Sequence, residues 1–252
     1  MTAAEIMAQV PALACMVVTA AAFTAAGAWR GPRDPGGGDS RRRVPWKVLV
    51  PVILGAFVTA AVVLLAPGKP TSPDAAIPHA SYGPGNAMFQ LAINAALVAP
   101  FVAWVAWRRS GAAAFGVGKP DLLPSLAVGA CVSLACIAML GPVSGSFWSS
   151  PGTWWLLVAM LGVGASEELV FRGLLLGSLS KRLPRAAAEA TSAAIFAAVH
   201  LPQRLASGMA MADAAVSLSV LFVWGWCYAV AMRAGRNVPG LALVHAVTNV
   251  CV

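Results

Sequence analysis

Apolar residues come in long blocks along this chain, separated by short polar or Pro/Gly-rich stretches. Most blocks approach 20 residues, which is about what a helix needs to cross the hydrocarbon core of a bilayer. The pattern predicts eight spans, at 6–29, 48–66, 86–107, 122–140, 153–179, 187–201, 214–232 and 238–252. The eighth is short, and Glu189 interrupts the sixth near its start. The connections 30–47, with its GPRDPGGGDSRRR run, and 67–85, rich in Pro and Gly, read as loops. The expected fold is therefore all-α, a polytopic membrane helix bundle of about eight transmembrane helices. Residues 1–150 would supply four spans and residues 151–252 the other four, with no internal repeat.

Composition sharpens this. The chain is 59% hydrophobic and 10% charged, against about 25% charged residues in an ordinary soluble domain. The net charge of +8 does not point to nucleic acid, because the basic residues flank the apolar blocks and form no basic aromatic surface. Cys15, Cys131, Cys136, Cys227 and Cys251 lie in or at the ends of apolar blocks without a CxxC pair, and read as small apolar residues. Glu5 precedes the first block where a cleaved leader would carry basic residues, so 6–29 is expected to be a retained span.

Charge also orients the spans, because Lys- and Arg-rich loops stay cytoplasmic. One set of alternate loops holds Arg30, Arg33, Arg41, Arg42, Arg43, Lys47, Arg108, Arg109, Lys119, Lys181, Arg182, Arg185, Arg233 and Arg236; the other holds Lys69 and Arg204. Both termini are then expected outside the cytoplasm. Trp46, Trp104, Trp107, Trp148, Trp154 and Trp155 lie mostly at span ends, as an interfacial belt would. Trp224 and Trp226 sit deeper and read as packing.

An ionisable residue at the bilayer centre costs on the order of 2.5–3.5 kcal/mol on insertion scales, so such residues are rare and usually functional or paired. Here they are Glu167, Glu168, Arg172, His200 and His245, with Asn249 as a polar companion. At about 1.5 Å per residue, Glu168 lies roughly 20 Å from Lys181, His200 about 22 Å from Arg185, and Asn249 about 20 Å from Arg236. Three spans thus place polar groups at comparable depth, which predicts one site. Glu168 and Arg172 are four apart and share a helix face. Glu167 is turned about 100° away and is free to face His200. Phe196 shares a face with His200, and His245 with Asn249. A catalytic reading takes Glu167 and His200 to deprotonate water, and His245 and Asn249 to donate hydrogen bonds to an oxyanion. Gly173 and Gly177 form a small-xxx-small pair expected to admit a neighbouring helix closely.

Glu167-Glu168-Leu169-Val170-Phe171-Arg172 reads EExxxR, Phe196 to His200 reads FxxxH, and His245 to Asn249 reads HxxxN. In this order on apolar spans, they resemble the CPBP family of intramembrane proteases, named for CAAX-prenyl endopeptidases and bacteriocin-processing or immunity proteins. The resemblance covers roughly residues 153–250. It implies a glutamate-dependent endopeptidase with Glu167, His200, His245 and Asn249 catalytic and Glu168, Arg172 and Phe196 supporting, in a protease core at 151–252. Glu167, His200 and His245 would also make a His₂Glu set of the type zinc accepts. There is no HExxH pair, however, and the favoured reading has no metal and no cofactor.

The expected partners are a peptide or membrane-protein substrate and the lipid bilayer, with no nucleic acid. The Ala- and Arg-rich composition points to a bacterial cell membrane. Two other readings stand beside the protease: a non-catalytic immunity or scaffold membrane protein, and a proton-coupled transporter built on the same buried carboxylates and histidines. His79 reads as a solvated loop residue, Glu189 as a surface charge one turn from Arg185, and Arg204 and Asp213 as loop residues without chemistry.

Overall fold

The computed structural model describes residues 14–25, 82–107, 116–117, 119–140, 145–235 and 237–251. Among these every regular element is a helix: α1 (Ala14–Ala25), α2 (Pro84–Trp107), α3 (Lys119–Leu140), α4 (Gly145–Ser149), α5 (Pro151–Leu179), α6 (Arg185–Ala198), α7 (Leu201–Ala206), α8 (Met211–Gly235) and α9 (Val238–Cys251). The expected spans 86–107, 122–140, 153–179 and 214–232 coincide with α2, α3, α5 and α8 to within a few residues. The expected span 48–66, the loop 30–47 and His79 lie outside the described residues. Among the described residues, four helices, α2, α3, α5 and α8, are long and apolar enough to cross a membrane, and the chain is an integral membrane protein.

The sixth expected span takes a different form. α6 has 14 residues, about 21 Å of rise, and falls short of a hydrocarbon core of about 30 Å. It ends before His200, and α7 begins at Leu201 with Pro202 in its first turn. A proline there lacks only an N–H that a first turn leaves unpaired, but in a helix continued from α6 its ring would clash with the Ala198 carbonyl four residues back. His200 therefore sits at a break between two short helices. Gly208, with φ +78°, makes the turn from α7 into α8, a conformation that side-chain-bearing residues rarely adopt.

α5 begins where Pro151 enters the first turn after Ser150. α4 is tied to that turn, since Thr153 Oγ1 donates to the Phe147 carbonyl at 2.6 Å and Trp154 Nε1 to the Trp148 carbonyl at 2.9 Å. Leu169–Leu176, directly after the two glutamates, is wound as a π-helix, and all of it except Leu169 is buried. Single widened turns of this kind are frequent at functional sites, and here the widening extends over eight residues. Inside it, Ser192 Oγ of α6 donates to the Phe171 carbonyl at 3.0 Å.

α9 sits between α3 and α5 and packs on both. The approaches are backbone to backbone. A Cβ at Gly129 of α3 would meet the Gly240 carbonyl oxygen at 2.5 Å, and one at Gly164 of α5 would meet the Ala242 oxygen at 2.6 Å. A Cβ at Gly240 would collide with the Ser125 backbone, and Ser125 Oγ accepts from the Gly240 N–H at 3.2 Å. Of the glycine pair expected to do this work, Gly177 does not: a Cβ there would meet nothing within 4 Å. α2 lies against α5, where Ser166 Oγ donates to Asn94 Oδ1 at 2.6 Å in a buried link one residue from Glu167. α8 packs along α6, with Gly225 facing Ala193 and Phe196.

Glu189, expected at the surface, is buried at 5% exposure. Its Oε1 is 3.2 Å from Arg185 Nε and 3.3 Å from Arg233 Nε, so it ties α6 to the end of α8. The Arg185 contact is the i,i+4 pair read from sequence; Arg233 comes from a distant segment and closes over it.

Candidate active site

The functional side chains come from three places: the junction of the regular and widened parts of α5, the break after α6, and the middle of α9. Glu168 and Arg172 are among the most buried side chains, at 0% and 1% exposure. Arg172 Nη1 lies 3.2 Å from Glu168 Oε1, and Nη2 donates to the Gly225 carbonyl of α8 at 3.2 Å. Its guanidinium carbon sits 4.4 Å from the centre of the Phe196 ring and 5.3 Å from that of Tyr228. A buried charge is tolerated only when paired and hydrogen-bonded; here the ion pair, the Gly225 carbonyl and two ring faces share that role, while Arg172 Nε and Nη1 and Glu168 Oε2 make no hydrogen bond among the described residues.

Glu168 Oε1 also accepts from His245 Nδ1 at 2.9 Å. This hands the network from α5 to α9 and leaves His245 Nε2 directed at Glu167 Oε2, 3.6 Å away. On the other side, His200 Nε2 is 4.0 Å from Glu167 Oε1. His200 Nδ1 lies 2.8 Å from the Phe196 carbonyl. A carbonyl only accepts, so Nδ1 carries the proton; in the neutral ring Nε2 is then a bare lone pair facing Glu167. The Phe196 ring is 4.9 Å from the His200 ring.

Glu167 is thus the carboxylate on which both histidines converge. It is 24% exposed, while Glu168 beside it is closed off. The 100° turn between adjacent helical residues produces this division. Glu167, His200, His245 and Asn249 line one cavity of about 750 Å³. Its apolar wall includes Phe196, Val220, Leu221 and Trp224, and Gln90, Gln203 and Ser217 add polar groups. The Asn249 side chain makes no hydrogen bond among the described residues, and it lies on the same helix face as His245, one turn on. The sequence-derived set of Glu167, Glu168, Arg172, Phe196, His200, His245 and Asn249 is therefore brought together entirely.

Several contributors escaped the sequence reading. Arg204 and Asp213, taken as inert loop residues, line the cavity, as does Trp224. Ser166, Asn94 and the Gly225 carbonyl hold α5 from two sides. Tyr228 stacks on His245. A polar residue next to the EE pair hints at Ser166, but the others depend on contacts between distant segments and carry no local signal.

The model of the Rce1-like family, described as type II CAAX prenyl endopeptidase Rce1-like, matches residues 148–251. This C-terminal part of the chain is similar to that family. The match encloses EExxxR, FxxxH and HxxxN and agrees with the CPBP resemblance of those motifs. No curated protein and no solved structure gives a significant match to the chain. Within the matched segment, α5, the break after α6 and α9 supply the converging side chains and α8 supplies one cavity wall. Among the described residues, no group of three or more His, Cys, Asp and Glu is placed to hold a metal ion.

Proposed function

We propose that the protein is an intramembrane endopeptidase that hydrolyses a peptide bond with a water activated by Glu167 and His200. One observation carries this reading. Glu167 Oε1 and the bare Nε2 of His200 face each other at 4.0 Å, and both are acceptors. Two acceptors so placed call for a proton-bearing group between them, and one water within hydrogen-bond distance of each donates a proton to both.

Attack of that water on a carbonyl carbon transfers its proton to the Glu167–His200 pair, which later delivers it to the leaving amine. The products are a carboxylic acid and an amine, which become carboxylate and ammonium once the acid's proton passes to the amine. The oxyanion formed on the way meets Asn249 and His245. With Nδ1 committed to Glu168, His245 donates from Nε2 only when the ring carries both protons, and the carboxylates on its two sides compensate that charge. Glu168 and Arg172 hold His245 in place rather than meet substrate. The mechanism requires no metal.

The substrate is a peptide or membrane-protein segment that enters the cavity from within or beside the bilayer. Residues 1–150 serve as scaffold, both termini lie outside the cytoplasm, and the membrane is that of a bacterial cell. A non-catalytic immunity or scaffold role uses the same cavity for binding, but gives no reason for two acceptors to face each other.

The test compares membrane and secreted peptides from cells carrying the native protein and cells carrying Glu167→Gln, by mapping new N- and C-termini. Native-only termini are expected, with cleavage at those sites falling at least about 10³-fold in the variant. Cleavage of a peptide spanning such a site by the purified protein should survive a zinc chelator. Identical termini at equal folded expression would sink the protease reading.

A further inference from the structure

The oxyanion role of His245 depends on the direction of its Nε2, and one hydrogen bond does not fix that direction. The bond from Nδ1 to Glu168 anchors one corner of the ring, and the terminal torsion of a histidine is broad. The plane of the ring needs a second contact. Tyr228 of α8 provides it: the two rings lie 5.4 Å apart at an interplanar angle of 17°. Phe196 meets His245 edge-on at 6.3 Å and 74°, which leaves the Tyr228 face as the flat surface. Tyr228 is fully buried and does not line the cavity, so it never meets substrate. Its hydroxyl faces the Thr248 side chain one turn from Val244, so what meets His245 is the ring itself.

Resting on the proteolytic reading of this site, we propose that Tyr228 is a positioning residue, whose ring fixes the plane of His245 so that Nε2 faces the Glu167 carboxylate and the cavity. The placement has a mechanical consequence. His245 receives its hydrogen bond from α5 and its stacking surface from α8, so α9 presents the imidazole in the orientation both neighbours agree on. Tyr228 also lies 5.3 Å from the Arg172 guanidinium carbon, so the same ring packs against both ends of the chain Arg172–Glu168–His245. Loss of the ring frees His245 to rotate, and a misplacement of about 1 Å in a reacting group costs up to about 10²-fold in rate.

The chain contains two tyrosines and three histidines, which makes the stack directly observable. In the full-length protein in lipid nanodiscs, with isotope-labelled Tyr and His rings, cross-relaxation between the Tyr228 and His245 rings is expected. Tyr228→Phe should keep the wild-type His245 resonance and the wild-type yield of Glu167-dependent termini. Tyr228→Leu should move the His245 resonance, leave that of His200 in place, and lower the yield about tenfold or more. No ring-to-ring cross-relaxation in the native protein, which involves no variant, would overturn the proposal, as would wild-type yield from folded Tyr228→Leu. A silent Glu167→Gln would instead remove the proteolytic reading, and cross-relaxation would then decide whether Tyr228 holds His245.

Discussion

Two carboxylates in this protein are buried beside arginines four residues away, and they do different things. Glu189 takes Arg185 and Arg233, and Arg185 remains 69% exposed in water. Its charge is balanced at the edge of the bundle, and its effect is to pin α6 to α8. Glu168 takes Arg172 at no exposure at all, and its second contact is a histidine that faces a cavity. The lesson lies in what the arginine is backed by. Around Arg172 stand a backbone carbonyl and two aromatic rings, a closed shell that makes Glu168 a fixed point for His245. Around Arg185 there is water, and the clamp ends there.

The contrast can be broken most sharply at Glu168. Glu168→Gln leaves the Arg172 charge buried without its counter-ion, and breaking a buried pair in this way costs about 3–5 kcal/mol. A large fall in thermal stability in detergent is expected together with loss of cleavage in whatever fraction remains folded. Unchanged stability would mean that the shell does not depend on this charge. Asn249→Ala should separate the two properties. One oxyanion donor is worth about 10²–10³ in rate, and the side chain supports no other hydrogen bond among the described residues, so cleavage should fall by that factor with little change in melting. The smallest effect belongs to Glu189→Gln. Its partners are partly in water, and the expected loss is about 1 kcal/mol, with cleavage per folded molecule unchanged. If this variant abolished activity at full stability, the division between clamp and site would be wrong.

Much of this organisation can be read from the residues alone. Helices are visible because their apolar runs match the membrane, and the site is visible because charges are so costly there that EExxxR, FxxxH and HxxxN stand out against Leu, Ala and Val. What cannot be read is whatever depends on two distant segments meeting. Arg185–Glu189 is a local spacing, whereas Arg233 lies 44 residues from Glu189 and turns an expected surface charge into a buried one. Tyr228 looks like any other residue of an apolar span until α9 brings His245 onto it. The helix break at His200 is a partial exception, since Pro202 marks it in the sequence. The widened turns of α5 have no comparable mark: LVFRGLLL is as compatible with an ordinary α-helix, and the packing around it decides.

The glycines between α3, α5 and α9 carry none of the chemistry, yet they define its tolerances. A Cβ at Gly164 would meet the Ala242 oxygen at 2.6 Å and the Cβ of His245 itself at 3.3 Å. The position of the imidazole is thus gauged by atoms that are missing, and a single added methyl group would act as a shim under the helix that bears it. A substitution along this seam moves a helix and not a side chain alone. Changes in what the protein accepts are left to the other wall of the cavity, where α8 presents Val220, Leu221 and Ser217 and side chains can be exchanged without moving a helix.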